Sequence, residues 1–107
     1  MQSKQFICHL NELKSDHGHP VLLNDEQLAM FYVPKEGVFA IQNWDPIGKA
    51  FVLSRGIVGD IQGELCVASP LYKQHFCLKT GKCFEDDSVK LMTWPVLVEN
   101  DAVYVLG

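Results

Sequence analysis

Residues 43–81 read NWDPIGKAFVLSRGIVGDIQGELCVASPLYKQHFCLKTG, and the layout of this segment says what kind of domain the chain forms. Two short loops of similar build, Asp45-Pro46-Ile47 and Ser69-Pro70-Leu71-Tyr72, flank a stretch punctuated by Gly56, Gly59 and Gly63. Asp45 and Ser69 each precede a proline. That pattern starts a short helical turn, with the polar residue as cap and Pro at the first turn position. The same side chains could instead hydrogen-bond across the space between the loops. The glycines do not form a dinucleotide fingerprint, because their spacing differs and no βαβ unit surrounds them. They predict turns and a bulge among short strands.

Either side of this segment the chain reads as more short strands. Phe6 to Leu10 is β-prone, and Asn11 to His19 reads as a polar loop. Pro20 to Leu23 is a second strand, turned by Asn24-Asp25-Glu26. Gln27 to Val33 is almost continuously apolar, as a strand buried on both faces must be. Pro34 to Gly37 is a turn, with Pro fixing φ and Gly supplying a positive φ. Val38 to Ile41 is the returning strand. Lys90 to Val98 and Ala102 to Leu106 predict a last hairpin around Asn100-Asp101, two residues that tolerate the left-handed conformation. Pro95 removes a ladder donor and should sit at an edge or bulge. No helical period appears, so the fold class is all-β.

The chain of 107 residues is one domain, long enough to bury roughly two-thirds of its unfolded surface. A formal charge of −4, with nine scattered Lys and Arg, argues against nucleic acid as a partner. No apolar segment approaches the roughly 20 residues that span a bilayer, and Met1 to Gln5 leads into no secretory signal. The expected location is the cytoplasm, where Cys8, Cys66, Cys77 and Cys83 stay reduced.

The 43–81 layout resembles the cluster-binding half of a Rieske ferredoxin. There a Cys-x-His loop and a Cys-x-x-His loop hold a [2Fe–2S] cluster through two thiolates and two imidazoles. Position by position, Asp45 stands for the first Cys and Ile47 for its His, while Ser69 and Tyr72 stand for the second Cys and His. Soft donors are absent from all four, so cluster binding there is not expected. Asn43-x-Asp45-Pro46, Ser54-Arg55-Gly56-Ile57 and Ala68-Ser69-Pro70-Leu71-Tyr72-Lys73-x-His75-Phe76 resemble the small subunit of the cytoplasmic NAD(P)H-dependent nitrite reductase. That family has a Rieske-type fold without a cluster.

The resemblance implies a base subdomain from residues 1–42 and 82–107, with residues 43–81 inserted as a smaller lobe. It also implies an accessory role beside a large catalytic subunit that reduces nitrite to ammonium and carries FAD, an iron–sulfur cluster and sirohaem. No cofactor, metal or independent catalytic site is expected on this chain. The expected partner contact is the lobe's tip: Trp44, Ile47, Phe51, Leu71 and Tyr72, rimmed by Lys49, Arg55 and Lys73. An aromatic, charge-poor centre is what an interface core requires. The bland alternative is that Ile47 and Tyr72 merely fill the hole left by a cluster. A Rieske-type ferredoxin for electron transfer is the alternative function.

Other constellations carry less. Cys66, His75, Cys77 and Cys83 lack the paired spacing of structural zinc and read as small buried thiols beside a hydrogen-bonded histidine. A catalytic thiol at Cys77 or Cys83 has nothing nearby to depress its pKa. Asp16-His17-Gly18-His19 reads as a solvated loop, and Glu85-Asp86-Asp87 as a solvated face.

Overall fold

The structure, a computed structural model, describes residues 3–106; Met1, Gln2 and Gly107 lie outside the described residues. Its centre is β3 (Glu26–Val33), which pairs antiparallel with β2 (Gly18–Leu23) on one side and β4 (Gly37–Gln42) on the other. Side chains alternate across a strand, so Leu28 and Met30 enter one apolar cluster while Ala29, Phe31 and Val33 enter another. Leu28 through Phe31 are wholly buried. The uninterrupted apolar run is explained by those two cores.

The first core lies between this sheet and the three-stranded sheet β1-β12-β11, where β1 is Lys4–His9, β11 Val96–Glu99 and β12 Ala102–Leu106. Val103 and Val105 of β12 meet Leu28, Met30 and Ala40 there. The second core lies on the opposite face and takes Leu53, Val67, Phe76, Leu78, Cys83 and Leu91 from the rest of the chain. Residues 43–81 contribute β5 (Trp44–Asp45) paired with β6 (Ala50–Phe51). They also contribute the sheet β7-β8-β9, formed by Ile57–Ile61, Glu64–Ala68 and His75–Cys77.

Three hairpins close with two residues each at positive φ: Asn24-Asp25 (49° and 65°), Gln62-Gly63 (50° and 86°) and Asn100-Asp101 (49° and 64°). A pair of left-handed residues matches the right-handed twist of the flanking strands, which is why Asn, Asp and Gly stand there. Two short 3₁₀ turns, Leu10–Glu12 and Leu53–Arg55, are the helical elements of the described residues.

Two expectations need correction. The strand expected over Lys90 to Val98 is two strands in different sheets: β10 (Thr93–Trp94) pairs with β4, and β11 pairs with β12. Pro95 lacks the N–H that would continue either ladder, and the chain changes sheet at that residue. The loop expected over Asn11 to His19 is shorter, since Gly18 and His19 already pair with Phe31 and Met30. Among the described residues no helix is long and apolar enough to cross a membrane.

Candidate functional site: the paired tip loops

The two loops of similar build are the ends of two hairpins. The first joins β5 to β6 and the second joins β8 to β9. Their backbones match. Lys49 N–H donates to the Asp45 carbonyl at 2.7 Å, and Lys73 N–H donates to the Ser69 carbonyl at 3.1 Å. Both lysines sit in the left-handed region, at φ 58° and 62°.

Asp45 and Ser69 join the loops. Asp45 is completely buried; its Oδ1 accepts the N–H of Ile47 at 2.9 Å and of Gly48 at 3.0 Å. Its Oδ2 accepts the Ser69 hydroxyl at 2.5 Å, and the Ser69 Oγ accepts the Leu71 N–H at 3.3 Å. Each side chain therefore turns its own loop, and together they bridge the two. A buried carboxylate is costly unless its lone pairs are satisfied; three donors satisfy this one. Gly48 lets the loops touch, because a Cβ there would come within 2.5 Å of Leu71 Cδ1 and 3.0 Å of Asp45 Oδ2.

A [2Fe–2S] cluster does not fit this donor set. The four positions offer a carboxylate, an alkyl group, a hydroxyl and a phenol, where the cluster needs thiolates and imidazoles. Asp45 and Ser69 moreover spend their oxygens on each other and on their own loops. Ile47 packs against the core cluster. Tyr72 does not fill a hole: it is 65% exposed.

The apolar side chains at the tip are brought together in part. Trp44 and Phe51 are cross-strand partners with ring centroids 4.9 Å apart in an edge-to-face arrangement. Leu71 lies against Gly48 and is 46% exposed, while Phe51 is 50% exposed. Lys49 and Lys73 are exposed at the ends of the loops. Arg55 is exposed on the turn Leu53–Arg55, beside buried Leu53 and beside Ser54, whose N–H donates to Asn43 Oδ1 at 2.7 Å.

The apolar surface extends where no local motif marks it. A shallow groove beside Trp44 and Phe51 is lined by Met92 and Trp94 together with the polar Asp25, Glu26, Gln27 and Gln42. Met92 is placed there by Gln42, whose Oε1 accepts the Met92 N–H at 2.7 Å and whose own N–H donates to the Met92 carbonyl at 2.9 Å. One of these bonds is main chain to main chain and the other runs from main chain to side chain; both depend on the β4–β10 register, so no neighbouring residue announces them.

The remaining candidates settle differently. Glu85 is not a member of a merely solvated run: it accepts the His75 N–H at 2.8 Å and contacts the His75 ring Nδ1 at 2.6 Å. Burial works to raise the Glu85 carboxyl, but the His75 main-chain and ring bonds outweigh it and hold it below the ordinary range. Burial pushes the Cys83 thiol up, the opposite of what a nucleophile needs. In the Asp16–His19 stretch, His19 Nε2 accepts the Lys14 N–H at 2.8 Å. Among the described residues no three of His, Cys, Asp and Glu gather as a metal set.

Comparison with known proteins places this geometry. The family model for the Rieske-like [2Fe–2S] domain matches residues 4–106. The chain is 41% identical over 102 residues to the nitrite reductase (NADH) small subunit of Escherichia coli (strain K12), covering 94% of each. A crystal structure assigned as a nitrite reductase NADPH (small subunit) oxidoreductase protein superposes with a TM-score of 0.96 at 55% identity, covering 98% of this chain and 99% of that one. The chain belongs to the nitrite reductase small-subunit family. It is also 40% identical over 101 residues to part of the nitrite reductase [NAD(P)H] large subunit of Klebsiella oxytoca, a match spanning 94% of this chain and 10% of that one.

Proposed function

We propose that this chain is the small accessory subunit of an NAD(P)H-dependent nitrite reductase and that it acts by docking its two-loop tip on the large catalytic subunit. In this reading residues 43–81 are the docking lobe and the remainder is the base that holds it. The complex works in the cytoplasm. Reduction of nitrite to ammonium takes place on the large subunit, which carries the FAD, iron–sulfur cluster and sirohaem; this chain carries no redox centre.

One observation supports the reading most. Two of the four positions that would hold a cluster, Asp45 and Ser69, are used for a hydrogen-bonded brace, and around it stand exposed Phe51, Leu71 and Tyr72 and half-buried Trp44. Trp44, Phe51, Leu71 and Tyr72 offer a desolvatable centre, with Ile47 beneath it and Lys49, Lys73 and Arg55 as a basic rim. The presence of a similar domain inside the Klebsiella oxytoca large subunit fits a unit whose place is beside that catalytic machinery.

The test is recovery of the tagged chain from nitrite-grown cells, together with the spectrum of the chain purified alone. The expected result is co-purification of a sirohaem flavoprotein and a colourless isolated chain. A brown chain with stoichiometric iron and acid-labile sulfide, or recovery of an oxygenase component, would turn the assignment to an electron-transfer ferredoxin.

A further inference from the structure

The hairpin that carries the second tip loop holds two cysteines in register. In β8 and β9, Cys66 stands opposite Cys77, Val67 opposite Phe76 and Ala68 opposite His75. Leu78 N–H donates to the Leu65 carbonyl at 3.1 Å, whereas Cys77 N–H turns to the other side, to the Lys82 carbonyl at 2.9 Å. Antiparallel pairs alternate between hydrogen-bonded and non-hydrogen-bonded kinds, so the Cys66–Cys77 pair is of the second kind. Such pairs bring their Cα atoms to about 4.5 Å, within the roughly 4.4–6.8 Å that a disulfide spans.

Directly opposed side chains share a face of the sheet. Val67 and Phe76, the next pair along, point into the core cluster, so Cys66 and Cys77 point to the other face, and neither thiol belongs to a core cluster. The neighbouring strand presents Gly59 beside Cys66. A Cβ at Gly59 would meet nothing within 4 Å. Cys66 and Cys77 themselves are buried, at 2% and 4% exposed, with open space only beyond Gly59.

We infer that Cys66 and Cys77 form a reversible disulfide that closes the β8–β9 hairpin beneath the Ser69–Gln74 loop. With hydrogen peroxide as oxidant, one thiolate attacks a peroxide oxygen, the O–O bond breaks, and a sulfenic acid forms while the departing hydroxide takes up the proton the thiol lost and becomes water. The second thiolate then attacks that sulfur, the S–S bond forms, and hydroxide leaves and is protonated to water. The two thiols lose two protons and two electrons, and the peroxide becomes two waters. A dithiol reductant reverses the bond by exchange. Burial, with Asp60 and Cys77 close by, pushes the Cys66 thiol up, so the reaction quickens as pH rises.

The test is hydrogen peroxide treatment of the folded full chain, then alkylation in denaturant and peptide mapping without reductant. The expected product is a Cys66–Cys77 linked peptide pair, two hydrogens lighter than the free thiols and fully restored by dithiothreitol. Cys8 and Cys83 stay alkylatable, and Cys8→Ser forms the same product. Free Cys66 and Cys77 after treatment, oxidation past the sulfenic step with no linked peptide, or pairing of either with Cys8 or Cys83 would overturn the inference.

Discussion

The first tip loop turns its cap inward and the second turns its apolar side chains outward, although both close with the same main-chain bond and a left-handed lysine. In the first, Asp45 is wholly buried and Ile47 packs on the core. In the second, Ser69 is the buried end of the brace, while Leu71 and Tyr72 stand in solvent. A pair of loops that positions four ligands in a Rieske ferredoxin is thus divided between a buried anchor and an exposed face, the face proposed to dock. The division follows from chemistry: a carboxylate can satisfy several N–H and O–H donors at once, so a single residue fixes both loops and frees the outer positions.

Removing the anchor should have the largest effect. Asp45→Ala leaves two N–H groups and the Ser69 hydroxyl without an acceptor in a buried place, which costs about 3 kcal/mol. Urea unfolding measures this, and a loss well under about 1 kcal/mol would mean that the loops hold without the brace. The contact surface should respond in the opposite way. Tyr72→Ala should leave folding stability within about 0.5 kcal/mol and weaken the complex with the large subunit by about 2 kcal/mol, the scale of an aromatic hot spot. Titration calorimetry on the purified pair reads that difference.

Two smaller effects sharpen the contrast. Ser69→Ala removes one donor to Asp45 and the acceptor for Leu71 N–H but leaves Asp45 its other two bonds, so about 1 kcal/mol of stability is expected to go. Glu85, away from the brace, tests the acid limb alone. Its folded-state pKa lies below the ordinary carboxylate value of 4.5, so its contribution is full above that value and is lost as pH falls through the folded-state pKa. Glu85→Gln should flatten the decline of the unfolding midpoint in acid while leaving the tip loops and complex affinity unchanged.

Much of this was legible before any coordinates. The unbroken run from Gln27 to Val33 states a strand with two cores, and Asn100-Asp101 states a tight hairpin, because each is a local requirement. The pairing of the two loops is visible in their shared spelling. What the sequence withholds is register. Pro95 marks a broken ladder without saying that the halves join different sheets. Glu85 reads as one of three solvated acids until Phe84 N–H, donating to the His75 carbonyl at 2.9 Å, lays it beside His75. Met92 joins the groove by Trp44 only through Gln42, and Cys66 meets Cys77 only once the intervening loop length has set the hairpin. Contacts that depend on which residue faces which, across tens of residues, have no signature in composition or period.

Association through the tip is the central proposal, and one titration addresses it directly. The large subunit is titrated with the wild-type chain and with the Trp44→Ala, Tyr72→Ala double variant, each checked for the same folded spectrum. Docking through the tip predicts at least about a tenfold loss of affinity for the variant. Equal affinity for the two would contradict it.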